Sequence, residues 1–115
     1  MMNAIEQALQ HKWQDYLFLT QEMKKFIQSQ DFDMFFSLMN QRGMLQELIL
    51  QEAKQGHPYY QLEESRTLLR QIEQANQAMM QVFLLVFHAM RRRETVSNAY
   101  EGGSNTAGQY LNRNT

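Results

Sequence analysis

Apolar residues recur at alternating steps of three and four along the first part of the chain, which is the pattern of an amphipathic helix. The first such segment extends from about Asn3 to Gln28. Its recurring positions are Trp13, Tyr16, Thr20, Met23 and Ile27, and the stripe is widened by Leu9, Leu17, Leu19 and Phe26. The alternating steps are typical of the seam of an antiparallel bundle, and the stripe is wider than a narrow coiled-coil seam.

A second helix is predicted from about Asp31 to Gln55, with Ser29 or Asp31 available as its N-terminal cap. The side chains expected to be buried are Phe35, Leu38, Met39, the stem of Arg42, Leu45, Leu48 and Ile49. Gly43 lies mid-helix, where a close neighbouring helix or a local kink explains it. The sequence Gly56-His57-Pro58 marks the end of this helix.

The third helical pattern starts near Pro58 and is longer than the other two. A heptad continues over ten positions: Leu62, Ser65, Leu69, Ile72, Asn76, Met79, Phe83, Val86, Met90 and Arg93. A helix of about 40 residues spans roughly 60 Å, whereas the first two span roughly 38 Å. The surplus end contains the most apolar stretch of the chain, residues 79–90.

These patterns predict an all-α antiparallel bundle of three long helices. The third helix kinks into a fourth in one version of this prediction, and residues 58–97 form one helix in the other. We expect a helical domain over residues 1–97. A flexible tail rich in Gly, Asn, Ser and Thr is expected over residues 98–115.

The apolar stretch at residues 79–90 has two interpretations. It is ordinary core if the third helix folds back on the first two, or it is a surface that another chain, a second copy or the tail covers. It is too short for a membrane span and is interrupted by Gln81 and His88. In one interpretation, the three cations that follow, Arg91, Arg92 and Arg93, stabilise a helix C-terminus and keep the exposed apolar neighbour soluble. In the other, they form an electrostatic rim for an acidic partner segment.

Composition argues against several classes of function. The net charge is −1, from 11 basic and 12 acidic residues, so we expect no binding to nucleic acid. There is no cysteine, and His11, His57 and His88 lack metal-ligand spacing, so neither thiol chemistry nor a metal or other cofactor is expected. Residues 1–10 do not have the pattern of a secretory signal. We therefore expect a soluble intracellular protein.

The chain resembles the flagellar type III export chaperones of the FliT class, which escort the filament-cap protein. The chaperones of the hook–filament junction proteins are a related class. In the helices, the resemblance is carried by Trp13-Gln-Asp-Tyr16-Leu17 and by Gln41-Arg42 with Leu45 and Ile49. In the tail, it is carried by Ala99-Tyr100-Glu-Gly-Gly103 and Gly108-Gln-Tyr110-Leu111-Asn112-Arg113.

The resemblance implies a cytoplasmic chaperone that is not an enzyme. Its apolar groove receives the C-terminal helical region of an export substrate, and this binding prevents premature assembly of the substrate. Export-apparatus components are further partners that it implies. The residues assigned to substrate binding are Met79, Val82, Phe83, Val86, Phe87, Met90 and Tyr100, with Tyr110 as a further tail contact. In some members the last helix covers this groove, which here would involve residues 82–100.

Two other functions are alternatives. One is a structural adaptor that forms a homodimer through the long third helix. The other is an enzyme, because Asp31-Phe-Asp33 with Leu38 and Gln41-Arg42 faintly resembles the helical chorismate mutases. Such an enzyme needs several buried cations, including an arginine from the first helix, and this helix offers only Lys12, Lys24 and Lys25.

Overall fold

The computed structural model describes residues 2–52 and 56–100, and the side chains of residues 95–100 lie outside that description. The helices are α1 (Ala4–Gln28), α2 (Phe32–Glu52) and α3 (Glu63–Tyr100), with a short 3-10 helix at Pro58–Gln61. The described residues contain no strand, and the predicted all-α bundle is confirmed. The chain divides into two compact units, the first ending at Phe83 and the second beginning at Leu84.

A capping box fixes the start of α1. The Asn3 side chain accepts a hydrogen bond from the Glu6 backbone N–H at 2.8 Å, and the Glu6 carboxylate accepts one from the Asn3 N–H at 2.9 Å. These bonds satisfy two backbone donors that a helix start leaves open. They also explain why the charged Glu6 is only 9% exposed.

The turn between α1 and α2 follows the predicted break. Gln30 adopts a left-handed conformation with φ of 60°, and the Asp31 N–H donates to the Phe26 carbonyl at 2.9 Å, which closes the end of α1. The Asp31 carboxylate accepts a hydrogen bond from the Met34 N–H at 3.1 Å. Asp31 is therefore the cap of α2, whereas Ser29 caps the C-terminus of α1.

The connection from α2 to α3 differs from the prediction at one point. α2 is described to Glu52, and its predicted last residues, 53–55, lie outside the described part. Gly56 has φ of 86°, as expected for a glycine after a helix. The third helix was expected to begin near Pro58, but this is wrong. Pro58 opens a separate 3-10 helix, and the extended backbone of Leu62 (ψ 145°) divides it from α3.

The three helices of the first unit run antiparallel, because early residues of one contact late residues of the next. Lys12 of α1 forms an ion pair with Glu52 of α2 at 2.9 Å. Phe35, near the start of α2, stacks on Phe83 of α3 with ring centroids 5.8 Å apart. Apolar side chains from all three helices and the 3-10 helix are buried in this unit: Leu9, Met23, Ile27, Phe35, Leu38, Ile49, Tyr59, Leu68, Ile72 and Met79.

Tyr59 is the largest of the fully buried side chains and lies at one end of this core. It packs with Leu9 and Ile49, and its hydroxyl donates a hydrogen bond to the Gln10 side-chain oxygen at 2.5 Å. Burial, reinforced by the negative charges that Tyr60 and Glu64 can carry, raises the pKa of Tyr59 to about 12. The 3-10 helix that carries Tyr59 is thereby attached to α1.

A polar contact crosses the middle of the bundle. One Arg42 guanidinium nitrogen (Nη1) donates to the Thr20 hydroxyl and to the Asn76 side-chain oxygen, both at 3.0 Å. The guanidinium also lies 5.0 Å from the centre of the Tyr16 ring. Arg42 of α2 thus connects α1 and α3, and the predicted burial of its stem is consistent with its half-buried position.

The prediction for α2 is wrong at two positions. Met39 and Leu48 were expected in the core but are 43% and 50% exposed. For Gly43, a close neighbouring helix or a local kink was expected, and a Cβ atom built there meets no atom of the described residues within 4 Å. Mid-helix glycine costs about 1 kcal/mol relative to alanine, and packing within the described chain gives no reason for this cost.

The α3 heptad is confirmed as a packing face as far as Phe83. Ser65, Ile72 and Met79 are buried, and the intervening heptad positions are half-buried. Leu68 adds a buried residue beside this seam. α3 is one unbroken helix to Tyr100 rather than two helices, and it continues three residues beyond the domain end predicted at residue 97. The rest of the predicted tail, residues 101–115, lies outside the described part of the chain.

Candidate partner-binding site

The second unit contains three exposed large apolar residues of α3, and Met80 in the first unit is a fourth, at 42% exposed. Leu84, Leu85 and Phe87 are 46%, 69% and 38% exposed, respectively. Val86 and Met90 are half-buried in the same segment. Residues 84–90 are named here the α3 apolar segment. Exposed leucine and phenylalanine so close together are unusual for a helix that faces only water.

The substrate-binding residues predicted in the first unit are less accessible. Met79 is 2% exposed and belongs to the core, so a partner does not reach it in this conformation. Val82 and Phe83 are half-buried. The Phe83 ring stacks on Phe35 at an interplanar angle of 21°, which gives it a packing role within the bundle.

The remaining predicted contacts lie farther along the chain. Tyr100 is the last residue of α3, but its side chain lies outside the described residues, as does all of Tyr110.

Arginine follows the α3 apolar segment directly. The Arg91 guanidinium lies 5.8 Å from the centre of the Phe87 ring, within the range of a cation–π contact. The neighbouring His88 ring packs edge-on against the same Phe87 ring, with the ring centroids 6.1 Å apart. Arg92 and Arg93 are exposed. A cationic edge therefore adjoins exposed apolar side chains.

The interpretation of these arginines as a stabilised helix C-terminus is wrong. α3 continues to Tyr100, seven residues beyond Arg93, and its last turn contains no basic residue. The field of a helix dipole is effective only within the terminal turn. Solubility beside exposed apolar side chains and an electrostatic rim for an acidic partner remain as explanations of the three cations.

Leu84 and Leu85 were absent from the predicted contacts, although they are the most exposed apolar residues of the segment. The prediction followed the heptad, which selects the positions that face the bundle. A signal was present in the sequence, because Val82-Phe-Leu-Leu-Val-Phe87 is apolar on every side of the helix. A helix that packs on one face only needs one apolar stripe.

The described residues do not contain a group of three or more His, Asp or Glu side chains that could hold a metal ion. Lys12, one of the first-helix cations considered for an enzyme, is bound by both carboxylate oxygens of Glu52 at 2.9 Å. Arg42 is hydrogen-bonded to uncharged groups in the bundle. The geometry thus gives these two cations structural contacts, and neither is shown around a substrate cavity.

A shallow open concavity of about 450 Å³ lies on α2, away from the bundle core. It is lined by Met39, Asn40, Gly43, Met44 and Glu47. Among the described residues that line it, the one charged side chain is the acid Glu47, which does not suit a dicarboxylate substrate. This apolar surface on α2 was also missed from the sequence.

Among the described helices, none is both long enough and apolar enough to cross a membrane. Comparison with known proteins gives no relative, since neither a family model nor a curated protein nor a solved structure matches the chain.

Proposed function

We propose that the chain is a cytoplasmic chaperone of flagellar protein export that binds a helical segment of an export substrate, with the filament-cap protein as the first candidate. The binding element is the α3 apolar segment. The observation that carries this proposal is the exposure of Leu84, Leu85 and Phe87, which lie together in the longest helix of the chain. Holding a partner there would keep it from assembling before export.

The spacing of these residues suits recognition of a helix. Leu84, Phe87 and Arg91 follow one another at steps of three and four residues, so they share one face of α3. An amphipathic partner helix places its anchors at the same intervals when it packs along such a face. The partner expected here presents apolar anchors, with acidic residues at the end that meets Arg91.

The exposed apolar area is large enough to matter for binding. If a fully exposed large side chain presents on the order of 175 Å², the exposed fractions of Leu84, Leu85 and Phe87 leave roughly 270 Å² uncovered. Covering this area gives at most about 7 kcal/mol. The entropy of association reduces that gain, so moderate affinity and reversible release are expected. Reversible release is what an export chaperone requires.

The cationic edge supports the choice of an acidic partner. Arg91, Arg92 and Arg93 adjoin the apolar segment, and the helix-terminus explanation does not apply to them. Charges at the rim of an interface mainly raise the association rate and select the partner, and salt weakens both effects. Binding should therefore become slower as ionic strength rises.

The α1 and α2 residues that carry the family resemblance have structural positions, whereas the tail residues that carry it lie outside the described part of the chain, apart from the backbone of Ala99 and Tyr100. Trp13 and Tyr16 pack edge-to-face with ring centroids 5.4 Å apart, and the Trp13 ring N–H donates to the Tyr60 hydroxyl at 3.3 Å. Arg42 connects the three helices. The resemblance therefore supports a common bundle, and the substrate-binding role rests on the α3 apolar segment.

The direct experiment is calorimetric titration of the chain with a C-terminal fragment of the filament-cap protein from the same cell. Leu85→Glu and Phe87→Glu are expected to weaken binding at least tenfold, since each places a charge in the apolar contact. The matched control is Phe18→Glu on α1, where the side chain is 57% exposed. Helicity by circular dichroism verifies that all variants are folded.

Undiminished binding by folded Leu85→Glu and Phe87→Glu would reject the proposed site. Absence of binding by the wild-type chain would reject this substrate. The structural-adaptor alternative predicts instead a dimer through α3 that Leu85→Glu dissociates, which light scattering distinguishes.

A further inference from the structure

We infer that a second copy of this chain docks on the outer surface of α2, forming a two-fold symmetric dimer in which the two α2 helices cross antiparallel at Gly43. This surface, named here the α2 outer face, consists of Phe36, Met39, Asn40, Gly43, Met44, Glu47 and Leu50. It does not involve the α3 apolar segment, so the dimer and the proposed chaperone function can be tested separately.

The α2 outer face is apolar, although it lies opposite the packed face of the helix. Phe36, Met39 and Met44 are 52%, 43% and 58% exposed, and Leu50 is 66% exposed. The packed face is formed by Phe35, Leu38 and Ile49. Apolar residues on both sides of a helix indicate that both sides are covered by protein. Within the described residues, only one side is.

Gly43 supplies the second observation. It lies within the concavity formed by Met39, Met44 and Glu47, and a Cβ atom placed on it would meet nothing within 4 Å. No neighbour inside the described chain therefore requires a glycine there. A glycine allows another backbone to approach closely, and mid-helix glycines commonly have such a packing reason.

The spacing around Gly43 favours a second copy over an unrelated protein. Phe36 precedes Gly43 by seven residues and Leu50 follows it by seven, so both lie close to the same line along the helix. A two-fold axis through Gly43 then places Phe36 of each copy against Leu50 of the other. Such self-complementarity is what a two-fold interface requires.

The area agrees with a weak dimer. With on the order of 175 Å² for a fully exposed large side chain, the four apolar members expose roughly 380 Å² per copy. Two copies bury about 750 Å² of apolar surface. The total comes close to the ~1,000 Å² of small specific interfaces once the area of Asn40, Glu47 and the Gly43 backbone is added. The α2 outer face is rich in methionine and phenylalanine and has few charged residues, as the centres of protein interfaces do.

The primary experiment is sedimentation equilibrium of the full chain over a range of concentration. A reversible dimer is expected, with twice the chain mass of 13.7 kDa and dissociation in the micromolar range. Phe36→Glu and Leu50→Glu should weaken dimerisation at least tenfold without loss of helicity. Phe18→Glu and Leu85→Glu, which change equally exposed apolar residues elsewhere, should leave it unchanged.

Because the chain contains no cysteine, engineered cysteines report the orientation. In the antiparallel dimer, the two Phe36 positions are about 21 Å apart along the helices, and a disulfide requires Cα atoms within about 7 Å. Phe36→Cys alone and Leu50→Cys alone should therefore form no cross-linked dimer. An equimolar mixture of the two variants should form one.

Three results would overturn the inference. The first is that the wild-type chain stays monomeric at millimolar concentration. The second is that the dimer persists in the Phe36→Glu and Leu50→Glu variants. The third is that Leu85→Glu dissociates the dimer. Cross-linking by Phe36→Cys alone would contradict the antiparallel arrangement. A monomer whose Leu50→Glu variant loses binding to the filament-cap fragment would assign the α2 outer face to the substrate instead.

Discussion

Replacement of Gly43 by alanine should stabilise the folded monomer. The position lies inside α2, where alanine is favoured over glycine by about 1 kcal/mol, and the added methyl group meets no atom within 4 Å. No packing cost therefore offsets the gain. With an unfolding entropy of about 2 cal/mol/K per residue, 1 kcal/mol corresponds to a rise in the melting temperature of roughly 4–5 °C for this chain.

Urea unfolding followed by circular dichroism measures this effect, at a dilution where the chain is monomeric. Gly56→Ala is the matched control, because the same methyl group is added at a backbone φ of 86°. Alanine is strained there, and a loss of roughly 1–2 kcal/mol is expected. If Gly43→Ala is neutral or destabilising in the monomer, another part of the chain contacts Gly43, and the open α2 outer face is refuted.

Three further predictions concern the bundle itself. Met79→Ala should lower the free energy of unfolding by about 2–5 kcal/mol, because Met79 is 2% exposed. Leu85→Ala, at a position 69% exposed, should change this free energy by less than about 0.5 kcal/mol. Equal losses for the two variants in urea unfolding would contradict the positions of these side chains. Arg42→Lys should lower the free energy of unfolding by about 1–3 kcal/mol in the same assay, since an ammonium group does not reproduce the two hydrogen bonds and the ring contact. An unchanged midpoint of urea unfolding would show that these contacts are dispensable. Because burial raises the pKa of Tyr59 to about 12, folded stability should fall as pH rises from about 10 towards 12, where the unfolded tyrosine loses its proton first. Tyrosinate absorbance should show a late titration step that Tyr59→Phe lacks, and a step near pH 10 for every tyrosine would refute the shift.

The helices could be predicted from the sequence because their signals are local. The Asp31 cap, the Gly56 turn and the steps of three and four in α1 all depend on neighbouring residues, and the structure confirms them. The α3 heptad likewise identified Ser65 and Ile72 as buried. Periodicity reports which face of a helix is packed, provided that only one face is apolar.

The positions of Met39, Leu48 and Gly43 could not be predicted in this way. α2 is apolar on several sides, so its sequence does not tell which side meets the bundle. The side of α2 that faces the bundle is set by residues distant in sequence, notably by the hydrogen bonds of Arg42 to Thr20 and Asn76.

The candidate site shares only some residues with the site expected from the sequence. The apolar end of α3 was identified by its length and composition, but the assigned residues followed the heptad and included Met79, which is in the core. The exposed Leu84 and Leu85 lie between heptad positions. A periodic pattern selects buried positions, whereas a docking surface consists of the apolar residues that the pattern leaves over.

Hydrogen–deuterium exchange of the chain, with and without a C-terminal fragment of the filament-cap protein, tests the central claim most directly. If the α3 apolar segment captures the partner, amide exchange over residues 84–94 should slow on binding, while exchange over the α2 outer face should remain unchanged. Unchanged exchange over residues 84–94 in a complex that demonstrably forms would contradict the account.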